Sequence, residues 1–375
     1  MAENHERTAA KNGRHTLKTR ALLWIKRHKK LSIALGVLFF VLLAAGVAFA
    51  VFYTAPIEEP SVSRTNPEQP KEAPKQRYFS PLTGVELPDE AAAKRQITAV
   101  IIENTPAARP QSGLQQAELT YEGIAEAGIT RFIAFYQHDK PQLIGPVRSL
   151  RPYFVDWIKP WDASIAHVGG SKRSLGEVRN GSYKDIDQMI HGDAYWRSSD
   201  RYAPHNVYTN FENIDALNAS QNFTTSAPKP LKFADVARPE QPNITQIHVN
   251  MLSPMYNSSW SYHAESNTYH RQQGGAPHVD REAGQISSNN VVVLKMPMEL
   301  LHEDGTYREN YHTSGTGEGV LFQNGIGTEI NWHKASPDAQ LTFTKKADGK
   351  EMPLTRGKTW ISAVPVNRGG GVSWE

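Results

Sequence analysis

Twenty-three consecutive residues without a charge, Leu31 to Tyr53 (LSIALGVLFFVLLAAGVAFAVFY), constrain this chain more than any other feature. At about 1.5 Å rise per residue, a helix of that length crosses a hydrocarbon layer of roughly 30 Å with every backbone polar group satisfied within the segment. Residues 1–30 carry nine Lys/Arg against two Glu, ending in Lys26-Arg27-His28-Lys29-Lys30 directly before the apolar run. Positive charge on that flank keeps it cytoplasmic, so the expectation is a single-pass protein of the cell membrane with its main domains extracytoplasmic. A cleaved signal peptide is the competing reading, since Ala48-Phe49-Ala50 offers an A-x-A site after Ala50. The apolar run exceeds the usual h-region of about 7–15 residues, which favours an uncleaved signal-anchor.

Beyond Tyr53 the chain holds 32 basic and 36 acidic side chains. A mildly acidic exported part lacks the clustered cations that neutralise phosphates, which argues against a nucleic-acid partner. The chain contains no cysteine. Disulfide scaffolds, thiolate metal sites, a cysteine nucleophile and lipid attachment at a lipobox cysteine are therefore excluded.

Five domains or segments follow from composition: a basic cytoplasmic tail (1–30), the transmembrane helix (31–53), a Pro-rich linker (54–77), a first exported domain (78–226) and a second (243–366). In the first, Ile97–Ile102 reads as a buried strand, Leu114–Glu126 as a helix, Thr130–Gln137 as a strand, Leu150–Trp157 as a short helix and Ala163–Val168 as a strand. In the second, β signals at Ile244–Met251, Val291–Met296, Gly319–Gln323, Glu329–His333, Leu341–Thr344 and Trp360–Val364 alternate with turns at Asp304-Gly305, Asn324-Gly325 and Asp348-Gly349. The fold class expected is α+β: an N-terminal transmembrane helix, a mixed α/β domain and a smaller β-rich domain.

Chemistry-bearing residues gather in the first exported domain. Arg109, Arg131, Arg148 and Arg151 offer planar guanidinium groups that match a carboxylate or phosphate. Glu103, Asn104, Glu122, His205 and Asn206 complete the expected ligand-binding set, and Gly169-Gly170-Ser171 opens a helical stretch as an anion site would. The alternative is that the arginines form structural bridges to Glu103, Glu122, Glu126 and Asp156. A Ser171, His167 or His205, Asp185 or Asp187 trio can be drawn for hydrolysis, but Gly-Gly-Ser is no nucleophile elbow and Ser171 reads better as a helix cap. Glu103 and Glu122 are a formal carboxylate pair for glycoside hydrolysis. His263, His270 and His278 have spacings that match no metal motif and read as surface histidines. Gly315-x-Gly317-x-Gly319 leads into a strand and reads as a β-turn rather than a phosphate loop. Trp260, Tyr262, Tyr269, Phe322, Trp332 and Trp360 suit either a β core or a binding surface. No metal, cofactor or assigned catalytic residue is expected.

Several ordered motifs carry a resemblance: Ser80-Pro81-Leu82-Thr83-Gly84, Ala107 to Leu114 (AARPQSGL), Gly128-Ile129-Thr130-Arg131-Phe132, Ile144 to Ser149 (IGPVRS), Arg151-Pro152-Tyr153-Phe154, His167 to Ser171 (HVGGS), Ala203-Pro204-His205-Asn206, Gly315–Gly325 and Gly357-Lys358-Thr359-Trp360. Across about residues 80–365 the chain resembles the YerB-like bacterial family. The resemblance implies an exported, often lipid-anchored, two-domain protein whose molecular activity is not settled. This chain departs from the pattern by placing a helix anchor where the family's lipobox cysteine stands.

The function expected is a membrane-anchored binding or accessory module of the cell envelope that recognises an anionic or cell-wall-derived ligand. Two alternatives stay open: a cell-wall hydrolase or transferase with a His/carboxylate site in the first exported domain, and a non-catalytic scaffold for a membrane partner. The partners expected are the membrane through Leu31–Tyr53 and a cell-wall fragment or envelope protein.

Overall fold

A basic, amphipathic helix, Leu17–Arg27 (α1), runs into Lys29–Thr54 (α2), apolar on every face beyond Lys30, and the ladder is kept across His28, whose N–H donates to Trp24 O at 2.9 Å while Ser32 N–H donates to His28 O at 2.9 Å. Lys29–Ala50 is long and apolar enough to cross a membrane, and none of its surface is buried against protein. The computed structural model describes residues 17–54, 76–303 and 305–375. The basic residues Arg7, Lys11 and Arg14 and most of the Pro-rich linker (55–75) lie outside the described residues.

Residues 76–375 form one unit built on a ten-stranded mixed sheet. The N-terminal part of this unit supplies Thr98–Glu103 (β1), Leu119–Glu126 (β2), Ile129–Tyr136 (β3), Ser164–His167 (β4) and Lys184–Asp187 (β5), with helices Pro152–Ile158 (α3), Lys172–Asn180 (α4) and Phe211–Ser220 (α5). The C-terminal part supplies Gln246–Asn250 (β6), Ser258–His263 (β7), Thr268–Gln273 (β8), Asn290–Met296 (β9), Met298–Glu303 (β10), Thr306–Tyr311 (β11), Gly315–Gln323 (β12), Ile326–Lys334 (β13), Thr342–Lys345 (β14), Thr359–Pro365 (β15) and Gly371–Trp374 (β16). The main sheet has the order β14-β13-β12-β9-β15-β2-β3-β1-β4-β5.

Its join is the parallel pair β15–β2, in register from Thr359 opposite Leu119 to Ser362 opposite Glu122. The sheet therefore passes through both segments, although the sequence between them crosses over in extended chain that pairs at Phe233–Ala234 with Leu354–Thr355. β1, β9 and β15 are near-continuous apolar runs because both of their faces are covered. A second sheet, β8-β7-β6-β16, lies against the first through Trp260 and Trp360, edge to face at 5.4 Å, and Phe322 and Trp374 at 5.5 Å. Of the large aromatics named from sequence, Trp260, Tyr269, Phe322, Trp332 and Trp360 thus fill the β core, and Tyr262 packs half-buried against it.

One expectation is corrected. Leu114–Glu126 is not a helix: its second half is β2, a central strand buried on both faces, so it lacks the alternation that marks a half-exposed strand. Gly123 sits there because a Cβ would come 3.0 Å from the Trp157 ring of α3. The two-residue turns Ala127-Gly128 (φ 48°, 80°) and Asn324-Gly325 (φ 54°, 75°) take the left-handed conformations that tight hairpins need.

Candidate functional site

The carboxyl ends of β1, β4 and β5 share one rim of the sheet, and each ends in a charged or titratable residue: Glu103, His167 and Asp187. Arg131 of β3 stands opposite Glu103 in register. Segment 145–151 threads this rim, with Glu103 N–H donating to Pro146 O (2.9 Å), Arg148 N–H to Ile101 O (2.8 Å) and Val168 N–H to Arg148 O (3.0 Å). Rims of this kind, outside the carboxyl ends of parallel strands, are where α/β folds place ligands.

The nine residues expected to bind ligand divide into three sets. Arg131 and Arg151, each with 5% of its side chain exposed, clasp Glu126. Arg131 also donates to Ser149 O (2.9 Å), and Arg151 to Leu150 O (2.9 Å) and Ala125 O (3.4 Å), which ties both into the backbone. Burial, then the charge of Arg151, push the Arg131 guanidinium down to about 10. Burial works to raise the Glu126 carboxyl, but Arg151 and Arg131 overcome it and hold that group below the usual range.

Glu122 and Asn104 belong to a sealed polar centre. Arg271 of β8 donates to both Glu122 oxygens (3.0 and 2.9 Å), and both side chains are 0% exposed. Trp360 Nε1, Thr130 Oγ1 and Ser362 Oγ donate to the same carboxylate at 3.1, 3.2 and 3.4 Å. The guanidinium lies over Trp360, Phe132 and Trp260, 4.7, 5.6 and 5.7 Å from the ring centroids. Its Nη1 donates to Gln273 Oε1 (2.6 Å) and to His278 Nδ1, whose Nε2–H then donates to Gln111 Oε1 (2.9 Å). Gln111 donates to Asn104 Oδ1 (3.0 Å), Asn104 to Thr130 Oγ1 (2.6 Å), and Thr130 returns the chain to Glu122. His278, read from sequence as a surface histidine, is buried, and burial and Arg271 hold its imidazole well below the ordinary value. Arginine suits such a place because its charge is spread over a plane, is weakly hydrated and stacks on rings.

Glu103, Arg148, His205, Arg109 and Asn206 form the third set, beside open solvent. The Glu103 side chain is buried at 2% exposure; its Oε1 accepts from His205 Nδ1 (2.8 Å) and Thr105 Oγ1 (3.1 Å) and stands 3.3 Å from Arg148 Nε, while Oε2 has no hydrogen-bond partner among the described residues. Asn206 accepts from Arg197 (2.8 Å) and donates to Ser198 O and Arg201 O (3.0 and 3.1 Å), shaping the loop that carries His205. Arg109 donates to Asn104 Oδ1 (3.1 Å) and Met255 O (3.1 Å) over the Tyr256 ring, and burial lowers its pKa.

His205 and Arg109 open on a cleft of about 440 Å³ whose other charged and aromatic walls are Arg201, Arg281, Asp200 and Tyr202. Arg201 is anchored on three carbonyls, Ala107 O (2.7 Å), Arg109 O (3.2 Å) and Pro110 O (2.5 Å), and Arg281 donates to Asp200 (2.8 Å). Neither arginine belongs to the expected binding set: Arg201 opens the polar stretch Arg201–Tyr208 that the sequence offers as chemistry-bearing, whereas Arg281, an exposed arginine in the other segment, gives no signal.

The remaining constellations resolve into structural roles. Ser171 caps α4 through Ser174 N–H (3.2 Å) and bonds Ser174 Oγ (3.0 Å), while His167 spends its ring nitrogens on Asp185 (2.8 Å) and Gly169 O (2.7 Å), so the hydrolytic trio is not assembled. Glu122, sealed on Arg271, does not face a substrate with Glu103. Gly317 lies within β12, where a Cβ would come 2.6 Å from the Trp332 ring. His263 and His270 stack at 3.7 Å, and no His/Asp/Glu group among the described residues has metal-ligand geometry.

Residues 82–224 match the family model described as "Protein of unknown function (DUF3048) N-terminal domain", and residues 247–361 match its C-terminal domain. The curated Bacillus subtilis (strain 168) protein named "Putative lipoprotein YerB" is 29% identical over 304 residues, covering 78% of this chain and 90% of that protein. A crystal structure of YerB protein from Bacillus subtilis aligns with a TM-score of 0.69 at 29% identity, covering 79% of this chain and 99% of the solved one.

Proposed function

The chain belongs to the YerB-like family of proteins with paired DUF3048 domains, and from that premise we propose that it is a single-pass, membrane-anchored envelope protein, N-terminus cytoplasmic, whose exported part binds an anionic envelope-derived ligand. The lining of the cleft carries this reading: Arg109, Arg201, Arg281 and His205 face it against a single Asp200. An anion entering there meets Arg201 already oriented by carbonyls and the His205 ring held by a buried carboxylate, so little side-chain ordering is left to do on binding. The apolar helix Lys29–Ala50 and the lipoprotein name of the relative support attachment to a membrane.

The test uses the full chain in nonionic detergent, titrated calorimetrically with a soluble muropeptide (carboxylates) and with a glycerol phosphate oligomer (phosphodiesters). One of the two is expected to bind saturably, with affinity falling at least tenfold in Arg281→Ala and in His205→Ala while the melting temperature holds. Failure of both to bind would sink the reading and leave a scaffold for a membrane partner in front. A hydrolase or transferase reading has one observation in its favour, the imidazole of His205 held at Nδ1 by buried Glu103, the arrangement a general base uses. Release of muropeptide fragments that ceases in a folded His205→Ala protein would establish it.

A further inference from the structure

Four cations ring the N-terminal end of the apolar span. Lys26 and Arg27 close α1, Lys29 and Lys30 open α2, and the span itself runs from Lys29 to Ala50. At about 1.5 Å per residue those 22 residues fill a hydrocarbon layer of roughly 30 Å, which leaves the four cations at the depth of the lipid phosphates. α1 continues the helix outward from there, its ladder unbroken across His28.

Helical spacing puts these charges on one side. At about 100° per residue, Lys26, Arg27, Lys29 and Lys30 fall within an arc of roughly 160°, while Leu17, Ala21, Trp24 and His28 fall on the opposite side. The Trp24 and His28 rings meet on that second face, 5.4 Å apart, and Trp24, 45% exposed, is the kind of ring that settles at headgroup depth. All four cations are exposed. No Asp or Glu occurs between residues 7 and 57, so no carboxylate three or four residues away can neutralise them.

The charges decide what sits against this face. A zwitterionic headgroup carries its own cation beside the phosphate and meets repulsion from four uncompensated ones; an anionic headgroup brings the phosphodiester alone. Arg27 matches two phosphate oxygens at once, and the lysines act beside it as point charges. We propose that the face formed by Lys26, Arg27, Lys29 and Lys30 is a binding site for the headgroups of anionic phospholipids, with Trp24 anchoring the opposite side of the helix in the same layer. The proposal rests on membrane attachment through α2 and is independent of the cleft of His205. The rule that keeps positive flanks cytoplasmic counts charges wherever they stand around the helix, whereas a site depends on their being on one face.

The full chain is reconstituted in phosphatidylcholine vesicles holding a trace of spin-labelled phosphatidylglycerol or, separately, spin-labelled phosphatidylcholine, and the motionally restricted fraction of each label is read by electron paramagnetic resonance. The phosphatidylglycerol label is expected to associate at least threefold more strongly, and to lose that preference in about 1 M NaCl, where the screening length shrinks to roughly 3 Å. Lys26→Gln/Arg27→Gln/Lys29→Gln/Lys30→Gln should abolish the preference. Lys26→Gln/Lys30→Gln/Ala21→Lys/His28→Lys keeps the number of Lys and Arg but moves two of them to the opposite face, and should lose most of it; Arg281→Ala should leave it unchanged. Equal restriction of the two labels by the wild-type chain, or full preference in the protein with relocated charges, would overturn the proposal while leaving the attachment intact. Extraction of the chain from the vesicles by carbonate would sink the attachment and this proposal with it. Should the fourfold Gln protein fail to insert, the relocated charges and the salt dependence decide alone.

Discussion

Glu122 and Glu126 stand four residues apart on one strand and both are held by arginine, yet they have opposite surroundings. The Glu122–Arg271 pair is closed on every side by protein, balanced one charge to one and walled by three aromatic rings. Glu126 keeps 46% of its side chain exposed and faces two arginines, with a third, Arg308, 4.0 Å away. Water can solvate the second cluster if a partner is lost; nothing can solvate the first. A sealed pair is therefore an element of architecture that fixes how the two segments meet, whereas the open cluster keeps its rim basic.

That contrast can be broken by substitution. Arg271→Met leaves the Glu122 carboxylate buried without a countercharge and should destabilise the full chain by about 3–5 kcal/mol in urea unfolding. Glu122→Leu combined with Arg271→Met should recover most of it, since an apolar replacement of a whole buried pair is often neutral. A loss below about 1 kcal/mol for Arg271→Met would mean that water reaches the pair and the contrast is false.

Acid provides a smaller perturbation of the same centre. His278 is held well below its ordinary value of 6.5 by burial and by Arg271, so below that pH the unfolded chain takes up a proton that the folded chain refuses. Its contribution to stability is present above pH 6.5 and is lost as pH falls from there towards the folded value. His278→Gln should flatten this part of the stability profile measured between pH 7 and pH 5. An unchanged slope would place the acid sensitivity elsewhere.

At the open cluster the effects shrink. Glu126→Gln keeps an acceptor for Arg131 and Arg151, which also hold backbone carbonyls, and should cost about 1 kcal/mol. Arg308→Ala, at the edge of the cluster, should change stability by less than about 0.5 kcal/mol. If either matched Arg271→Met, exposure would not be what separates the two carboxylates.

Parts of this molecule were legible because their signals are local. The α2 helix follows from uninterrupted apolar composition, Ser171 from its place before a helix, and β9 and β15 from runs of Val, Ile and Ala that only a covered strand accommodates. β2 was misread because a strand buried on both faces loses its alternation. Arg271 had a faint signal: period-two parity puts it on the same face of β8 as buried Tyr269. An arginine reads as a solvent face unless its partner is known, and that partner lies 149 residues away.

From sequence alone come the apolar segment, the acidic exported part, the absence of thiol chemistry, the α+β class and the segments to either side of the Pro-rich crossing, all set by composition and near neighbours. Tertiary structure alone decided that the segments share one sheet, that the four expected arginines serve two carboxylates and an asparagine, and that Arg201 and Arg281 line the cleft. The reason is that charge pairing depends on which strand lies beside which and in what register. A one-residue slip between β15 and β2 would shift Trp360 and Ser362 away from Glu122 without altering the composition of either strand.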